Sequence, residues 1–277
     1  MLTVALTLAG LAGVGEAAAP PYHLVACAPG YPGTTISAQP TMDLLAARWA
    51  AAASLEPSAI TAEYRPDESE GLRRLRDRDT DLGLVPLPFF LQYADELDLR
   101  PIAQAVRSDG TQSERWSLVA APGRLGAAAD LAGWEVVGIP AYHEAFVRGP
   151  ILGTWGTLPA EVEIVFSGRV LGALRRIGAG EPVAVLLDEE QVAALASLPD
   201  PGAYAVVHTS QPLPVAMVVA VGDRLDAEET AGLAAALMSL GTEEDGDELL
   251  STLRLRGFAA VDREALDRAA AALGVGR

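Results

Sequence analysis

His143-Glu144-Ala145-Phe146-Val147 falls one imidazole short of a zinc-binding helix. The pattern H-E-x-x-H sets two histidines on one helix face with a metal between them. Val147 stands where the second histidine would be, so no metal is expected. The segment instead lines up a phenol, an imidazole and a carboxylate, Tyr142, His143 and Glu144, at the start of a helix. Two readings stay open: side chains that touch a ligand, or an ordinary exposed helix start. Arg148 lies four residues after Glu144, the spacing of a helical ion pair. It either neutralises that carboxylate or swings inward to hold an anion.

Other candidates share a location at the ends of apolar runs. Asp188, Glu189 and Glu190 follow one such run directly. Carboxylates there hold a cation, accept hydrogen bonds from hydroxyls, or simply answer the dipole of the helix they begin. Glu190 is read in the last way, Asp188 in any of them. Tyr31, Thr34 and Thr35 fall in the first strand-to-helix loop, beside a Gly-Tyr-Pro-Gly turn that is a sufficient structural reason for them. Leu87 and Phe89 follow the third strand and either line an apolar cleft or fill the core. Ser167, with Phe166 and Trp155, is a candidate of the same kind. For catalysis the chain offers no G-x-S-x-G elbow and no phosphate-cradling glycine loop. Its three histidines, His23, His143 and His208, lie far apart in sequence. No catalytic residue and no cofactor is expected.

Strands and helices alternate along most of the chain, which argues for parallel βαβ units. Strands are expected at residues 22–28, 60–64 and 81–85, with helices between them and after the last. The first helix is expected to be capped by Ser37, with Pro40 in its first turn. Residues 102–106 and 116–121 then read as two strands with almost no helix between them. Alternation resumes with strands at 134–138, 162–166 and 183–187 and helices near 145–153, 170–177 and 189–198. A second interruption comes at 204–208 and 214–221, and the remainder reads as helical. Two breaks in one alternating pattern suggest two α/β units joined by two extended crossovers. The expected boundaries are 20–116 with 213–277 for the first unit and 117–212 for the second.

The chain has 277 residues, half of them apolar, enough for two medium cores. Its formal charge is −17, and all 20 basic residues are arginine. So acidic a protein, with no basic stripe, repels nucleic acid and anionic membrane surfaces. Residues 2–14 form an apolar run that leads to Ala17-Ala18-Ala19, which reads as a signal peptide covering residues 1–19. No arginine precedes that run. Later in the chain no apolar stretch reaches the roughly 18 residues of a membrane span. The single cysteine, Cys27, excludes an internal disulfide and is read as a buried strand residue rather than a lipidation site. The protein is expected to be an extracytoplasmic monomer.

Several stretches, taken in order, resemble a known family. They are Asp79-Thr80-Asp81-Leu82-Gly83, Trp116-Ser117-Leu118-Val119-Ala120, Ala129-Asp130-Leu131-Ala132-Gly133, Gly180-Glu181-Pro182-Val183-Ala184, Ser210-Gln211-Pro212-Leu213-Pro214 and Leu253-Arg254-Leu255-Arg256-Gly257-Phe258. Together they are similar to the phosphate/phosphonate family of periplasmic substrate-binding proteins of ABC transporters. The resemblance implies an α/β, two-lobe type II periplasmic binding protein fold with two crossover hinge strands. It also implies a small-molecule ligand held between the lobes and a membrane permease as partner. The chain departs from the family where phosphonate binders carry a compact hydroxyl cluster at a helix start of the second lobe. Here that stretch is Ala141-Tyr142-His143-Glu144-Ala145-Phe146. A carboxylate there repels a phosphonate, so a neutral, apolar or cationic solute is expected instead. A carrier of a lipid-like ligand, and an enzyme on the same two-lobe fold, are the alternatives.

Overall fold

A computed structural model describes residues 22–242 and 246–274, so the expected signal peptide lies outside the described residues. The first half runs β1 Tyr22–Cys27, α1 Thr35–Ala52, β2 Ile60–Arg65, α2 Glu68–Arg76, β3 Leu82–Pro86, α3 Leu87–Leu97, β4 Leu99–Arg107 and β5 Ser113–Glu114. The middle runs β6 Ser117–Ala120, β7 Glu135–Gly138, α4 Glu144–Phe146, β8 Glu163–Phe166, α5 Val170–Gly178, β9 Val183–Leu187, α6 Glu189–Ala194 and β10 Ala205–Thr209. The rest is β11 Leu213–Pro214, β12 Ala216–Val221, α7 Ala227–Ser239, α8 Gly246–Thr252, β13 Leu255–Ala259 and α9 Arg263–Leu273.

These strands form two separate large sheets. The first has the order β13-β4-β12-β3-β1-β2, and the second β10-β6-β9-β7-β8. Within each, the βαβ part is parallel: β1 with β2 and β3, and β7 with β8 and β9. The returning strands are antiparallel, β12 to β3 and β4, and β6 to β9. Helices cover both faces, which is why β9 reads as the unbroken apolar run Val-Ala-Val-Leu-Leu, every residue buried.

Between the sheets runs a two-stranded ribbon. β5 and β11 pair antiparallel, Glu114 opposite Leu213 and Ser113 opposite Pro214. Just beyond it, the Trp116 N–H donates to Ser210 Oγ at 3.0 Å and the Ser210 N–H to the Trp116 carbonyl at 2.9 Å. The chain thus has two lobes, each built on one sheet, with this ribbon as the hinge. α9 bridges them. It follows a strand of the first sheet but packs on the π-helical turn Val147–Ile151 of the second lobe. The contact is tight: a β-carbon at Gly149 would stand 2.3 Å from the Ala272 carbonyl oxygen.

Three local readings change. α1 begins at Thr35, not beyond Ser37, because the Thr34 hydroxyl accepts the Ser37 N–H while Ser37 Oγ accepts the Thr34 N–H, a closed capping box. Pro40 therefore sits inside the helix. The expected helix near 145–153 is only one α-turn followed by a π turn containing Pro150, whose ring cannot donate an i−4 bond. Residues 255–259 are a strand rather than part of a helical tail. Gly241 makes room for it, since a β-carbon on Gly241 would lie 2.7 Å from the Arg256 carbonyl oxygen.

No helix among the described residues is long and apolar enough to cross a membrane. Cys27 is fully buried, and burial pushes its thiol well above the ordinary range.

Candidate functional site

The carboxyl ends of β1 and β3 face those of β7, β8 and β9 across the hinge, and ligands of open α/β sheets bind at such ends. The two lobes touch there. Gly30, with φ +80°, lies directly on the second lobe: a β-carbon on it would stand 2.8 Å from the Phe166 ring and 3.2 Å from Ile139. Conversely, a β-carbon on Gly168 would stand 2.5 Å from the Gly30 carbonyl oxygen. One apolar cluster continues from Val85 and Phe90 in the first lobe, through Trp116, to Val136 and Phe146 in the second. The cleft is closed.

Tyr142 lies in its interior and Tyr31 at its mouth. The Tyr142 hydroxyl is buried and has no hydrogen-bond partner; the Phe89 N–H at the start of α3 reaches toward it without closing a bond. The Tyr142 ring meets Phe166 edge-on, centroids 5.8 Å apart at 85°. Burial raises the Tyr142 phenol far above the usual range, and the neighbouring Tyr31 adds to the effect. Tyr31 keeps 38% of its surface at the cleft mouth. Its phenol is also raised, first by desolvation and then by the charges of Glu114 and Asp188. The Tyr64 hydroxyl steadies this loop through the carbonyls of Tyr31 and Pro32, each at 3.4 Å.

The floor is acidic. Glu114, on the hinge strand β5, accepts the Trp116 indole N–H at 3.2 Å. Desolvation pushes its carboxyl up to about 7, with Asp188 and Glu189 raising it further and the Trp116 bond and Arg107 opposing. Asp188 is likewise raised by burial. The cation within reach, Arg107 of β4, is ion-paired with Glu189 of α6, a bond between lobes. Arg254 and Glu190 form a looser interlobe pair at 3.8 Å.

The candidates also have structural roles, and several of them have no other. Thr34 caps α1, and Thr35 is half-buried in its first turn. Leu87 and Phe89 are fully buried in the core, Phe89 with its ring 4.7 Å from Tyr93, so only the Phe89 backbone reaches the cleft. Asp188 caps α6, its Oδ1 accepting the Gln191 N–H at 2.8 Å. Ser167 Oγ accepts the Arg169 N–H at 3.1 Å. His143 stacks on Phe146, its Nε2 buried without a partner, and desolvation lowers its pKa. Glu144 is exposed and pairs with Arg148 Nε at 2.7 Å. Arg148 also donates to the Pro159 carbonyl at 3.1 Å and the Val162 carbonyl at 3.4 Å, which turns it away from the cleft.

Glu114 and Arg107 were not legible as site residues, because nothing in the sequence near them ends a strand before a helix in the expected order; Gly30 lies in the first strand-to-helix loop, where it reads only as a turn residue. The pairing of Glu114 with Trp116 inside an interruption of the alternation was the one available signal. Two other features lie apart from the cleft. Thr61 Oγ1 approaches His23 Nδ1 at 2.7 Å, but at the amino ends of β1 and β2, and the adjacent Glu63 is tied to Arg65 and Arg74. A cavity of about 560 Å³ lies between the π turn, residues 211–213 and α9. Its one charged lining residue, Arg268, is already paired with Glu264 at 2.6 Å.

Solved structures share this architecture. A Xanthomonas citri protein bound to ATP matches with a TM-score of 0.71 at 12% identity, over 92% of this chain and 98% of that one. PhnD1 from Prochlorococcus marinus, in complex with methylphosphonate, matches with a TM-score of 0.63 at 13% identity, over 93% and 99%. A binding-protein component of an ABC phosphonate transporter from Pseudomonas aeruginosa matches with a TM-score of 0.63 at 14% identity, over 90% and 84%. At these identities the likeness establishes the fold, that of type II periplasmic binding proteins. No curated protein matches the chain in sequence. The family model described as "ABC transporter, phosphonate, periplasmic substrate-binding protein" matches residues 37–266, nearly the whole described chain, and with its two lobes closing on a hinge ribbon the protein belongs to that family of periplasmic substrate-binding components of ABC transporters.

Proposed function

We propose that the chain is a binding protein, not an enzyme, that captures a small solute other than a simple phosphonate between its lobes and presents it to a membrane permease. One observation carries the exclusion of phosphonate: the hydroxyl and guanidinium donors best suited to an anion, on Thr34 and Arg148, are already engaged. A buried charge without hydrogen-bond partners costs several kcal/mol, so an oxyanion requires several N–H or O–H groups aimed at it. Thr34 is committed to its helix cap and Arg148 to Glu144 and two carbonyls, which leaves the Tyr142 hydroxyl and the Phe89 N–H, too few donors for an oxyanion. Glu114 and Asp188 add negative charge beside the same space. The assignment of residues 20–116 with 213–277 to one lobe and 117–212 to the other belongs to this proposal, with α9 as a bridge, as do secretion by residues 1–19 and a monomeric state. The binding residues are proposed to be Tyr31, Tyr142 and Asp188 from the original set, joined by Glu114 and Phe166. Calorimetric titration with methylphosphonate tests the ligand class. Heat at or below the detection limit is expected, and micromolar or tighter binding overturns the exclusion.

A further inference from the structure

α9 touches three parts of the molecule at once. Its first turn is fastened to the first lobe. The Asp262 N–H donates to Gln104 Oε1 at 3.0 Å, and Arg263 Nη2 donates to the Pro101 carbonyl at 3.1 Å. Both acceptors belong to β4. Gln104 is buried, and its amide also donates to the Gln112 carbonyl, directly before the hinge strand β5. The same helix packs on β11 of the hinge ribbon and on the π turn of the second lobe. Its Leu266 and Ala269 share one apolar cluster with Leu213 of β11 and with Val147 and Ile151 of the turn. At Gly149 the two meet backbone to backbone, since a β-carbon there would lie 2.3 Å from the Ala272 carbonyl oxygen and 3.5 Å from the Leu273 α-carbon. Beside this seat α9 and the turn leave the cavity of about 560 Å³. A filled interior has no void of that size, so the joint is a narrow contact and can separate.

The π turn continues the segment that enters the cleft. Tyr142 stands two residues before α4, and Phe146 and Val147, both fully buried, carry the chain from α4 into the turn. We propose that α9 is a strap whose seating on Gly149 is coupled to closure of the lobes. Its anchor on β4 keeps it with the first lobe, so the lobes part only by lifting α9 off the turn. Conversely, lifting α9 releases the second lobe, because a coupling between two equilibria is reciprocal. α9 has 11 residues, too few to hold a helix in water by itself. Once unseated it frays, so the exchange of its amides reports the open population.

The test measures hydrogen exchange of residues 263–273 together with the radius of gyration in small-angle scattering, on the full chain and two variants. No solute is needed, so the result is independent of the ligand class proposed above. Gly149→Val acts on the seat. Gly168→Ala acts on the opposite contact between the lobes, where the nearest neighbours of an added β-carbon are atoms of Gly30 alone. Each variant is expected to raise the radius of gyration and to speed α9 exchange by about tenfold or more. Open lobes with native α9 protection in Gly168→Ala overturn the proposal. So does faster α9 exchange in Gly149→Val at an unchanged radius of gyration, which would make α9 a fraying appendage. Lobes that stay closed in both variants overturn it as well. Should Gly149→Val fail to unfold cooperatively in urea, the anchor decides instead. Gln104→Met with Arg263→Ala keeps the buried volume and removes both bonds to the first lobe. There α9 is expected to stay protected on the second lobe while the radius of gyration rises, and an unchanged radius overturns the strap.

Discussion

Replacing Glu114 by glutamine removes one ionisable proton from the hinge and little else. The amide keeps an oxygen for the Trp116 indole N–H, 3.2 Å away. Desolvation pushes the native carboxyl up to about 7 from an ordinary 4.5. That displacement corresponds to about 3 kcal/mol between its two protonation states, an upper figure because the hinge relaxes. The sign follows from proton binding. Below pH 4.5 both folded and unfolded chains hold the proton, and the group has no effect. Between 4.5 and about 7 the unfolded chain has released a proton that the folded chain retains, so stability falls as pH rises; above that it is flat. Asp188, raised by its own burial, pushes the wild-type curve the same way, while Arg107 opposes and Glu189 reinforces the shift of Glu114. Urea unfolding of the ligand-free protein from acid to mildly alkaline pH measures the difference. Glu114→Gln is expected to match wild type near pH 4.5 and to be more stable by up to about 3 kcal/mol at pH 8, a melting point higher by roughly 6–12 °C. A difference that stays within about 0.5 kcal/mol across the range, below the usual surface effect, refutes the buried-carboxylate reasoning.

Gly168→Ala places a methyl group against the Gly30 carbonyl oxygen, where an ideal β-carbon would lie 2.5 Å away. It is expected to open the lobes, raising the radius of gyration in scattering and weakening ligand by about tenfold or more while leaving each lobe folded; unchanged affinity would sink the closed-cleft reading. Arg148→Ala should lower stability by about 1–3 kcal/mol, through the loss of its hydrogen bonds to two carbonyls, without altering ligand affinity in titration. Trp49→Ala deletes a fully buried indole bonded to the Leu233 carbonyl and should cost about 3–5 kcal/mol in denaturant unfolding. N-terminal sequencing of protein recovered outside the cytoplasm should begin at Pro20. An acylated Cys27 at the terminus would contradict it, because that cut removes nearly all of β1.

The sequence by itself determined the parts that depend on local order. Short apolar runs such as 183–187, rich in valine and bounded by turn residues, read as strands buried on both faces, and the two breaks in alternation near Trp116 and Ser210 mark where the chain leaves one sheet and returns to it. The same order carried the family, because strand succession and turn chemistry are read along the chain. The cleft was only partly visible. Tyr31, Tyr142 and Asp188 stand at strand ends, so they were candidates on position alone, yet position could not separate them from Leu87 and Phe89, which face the core. Nor could it say that Thr34 and Arg148 already have partners. Those outcomes turn on rotamers and on neighbours distant in sequence. Glu114 shows the limit most clearly. It pairs with a ribbon partner about a hundred residues away, and its pKa is raised first by desolvation and then by Asp188, so its chemistry exists only once two lobes have folded and closed on each other.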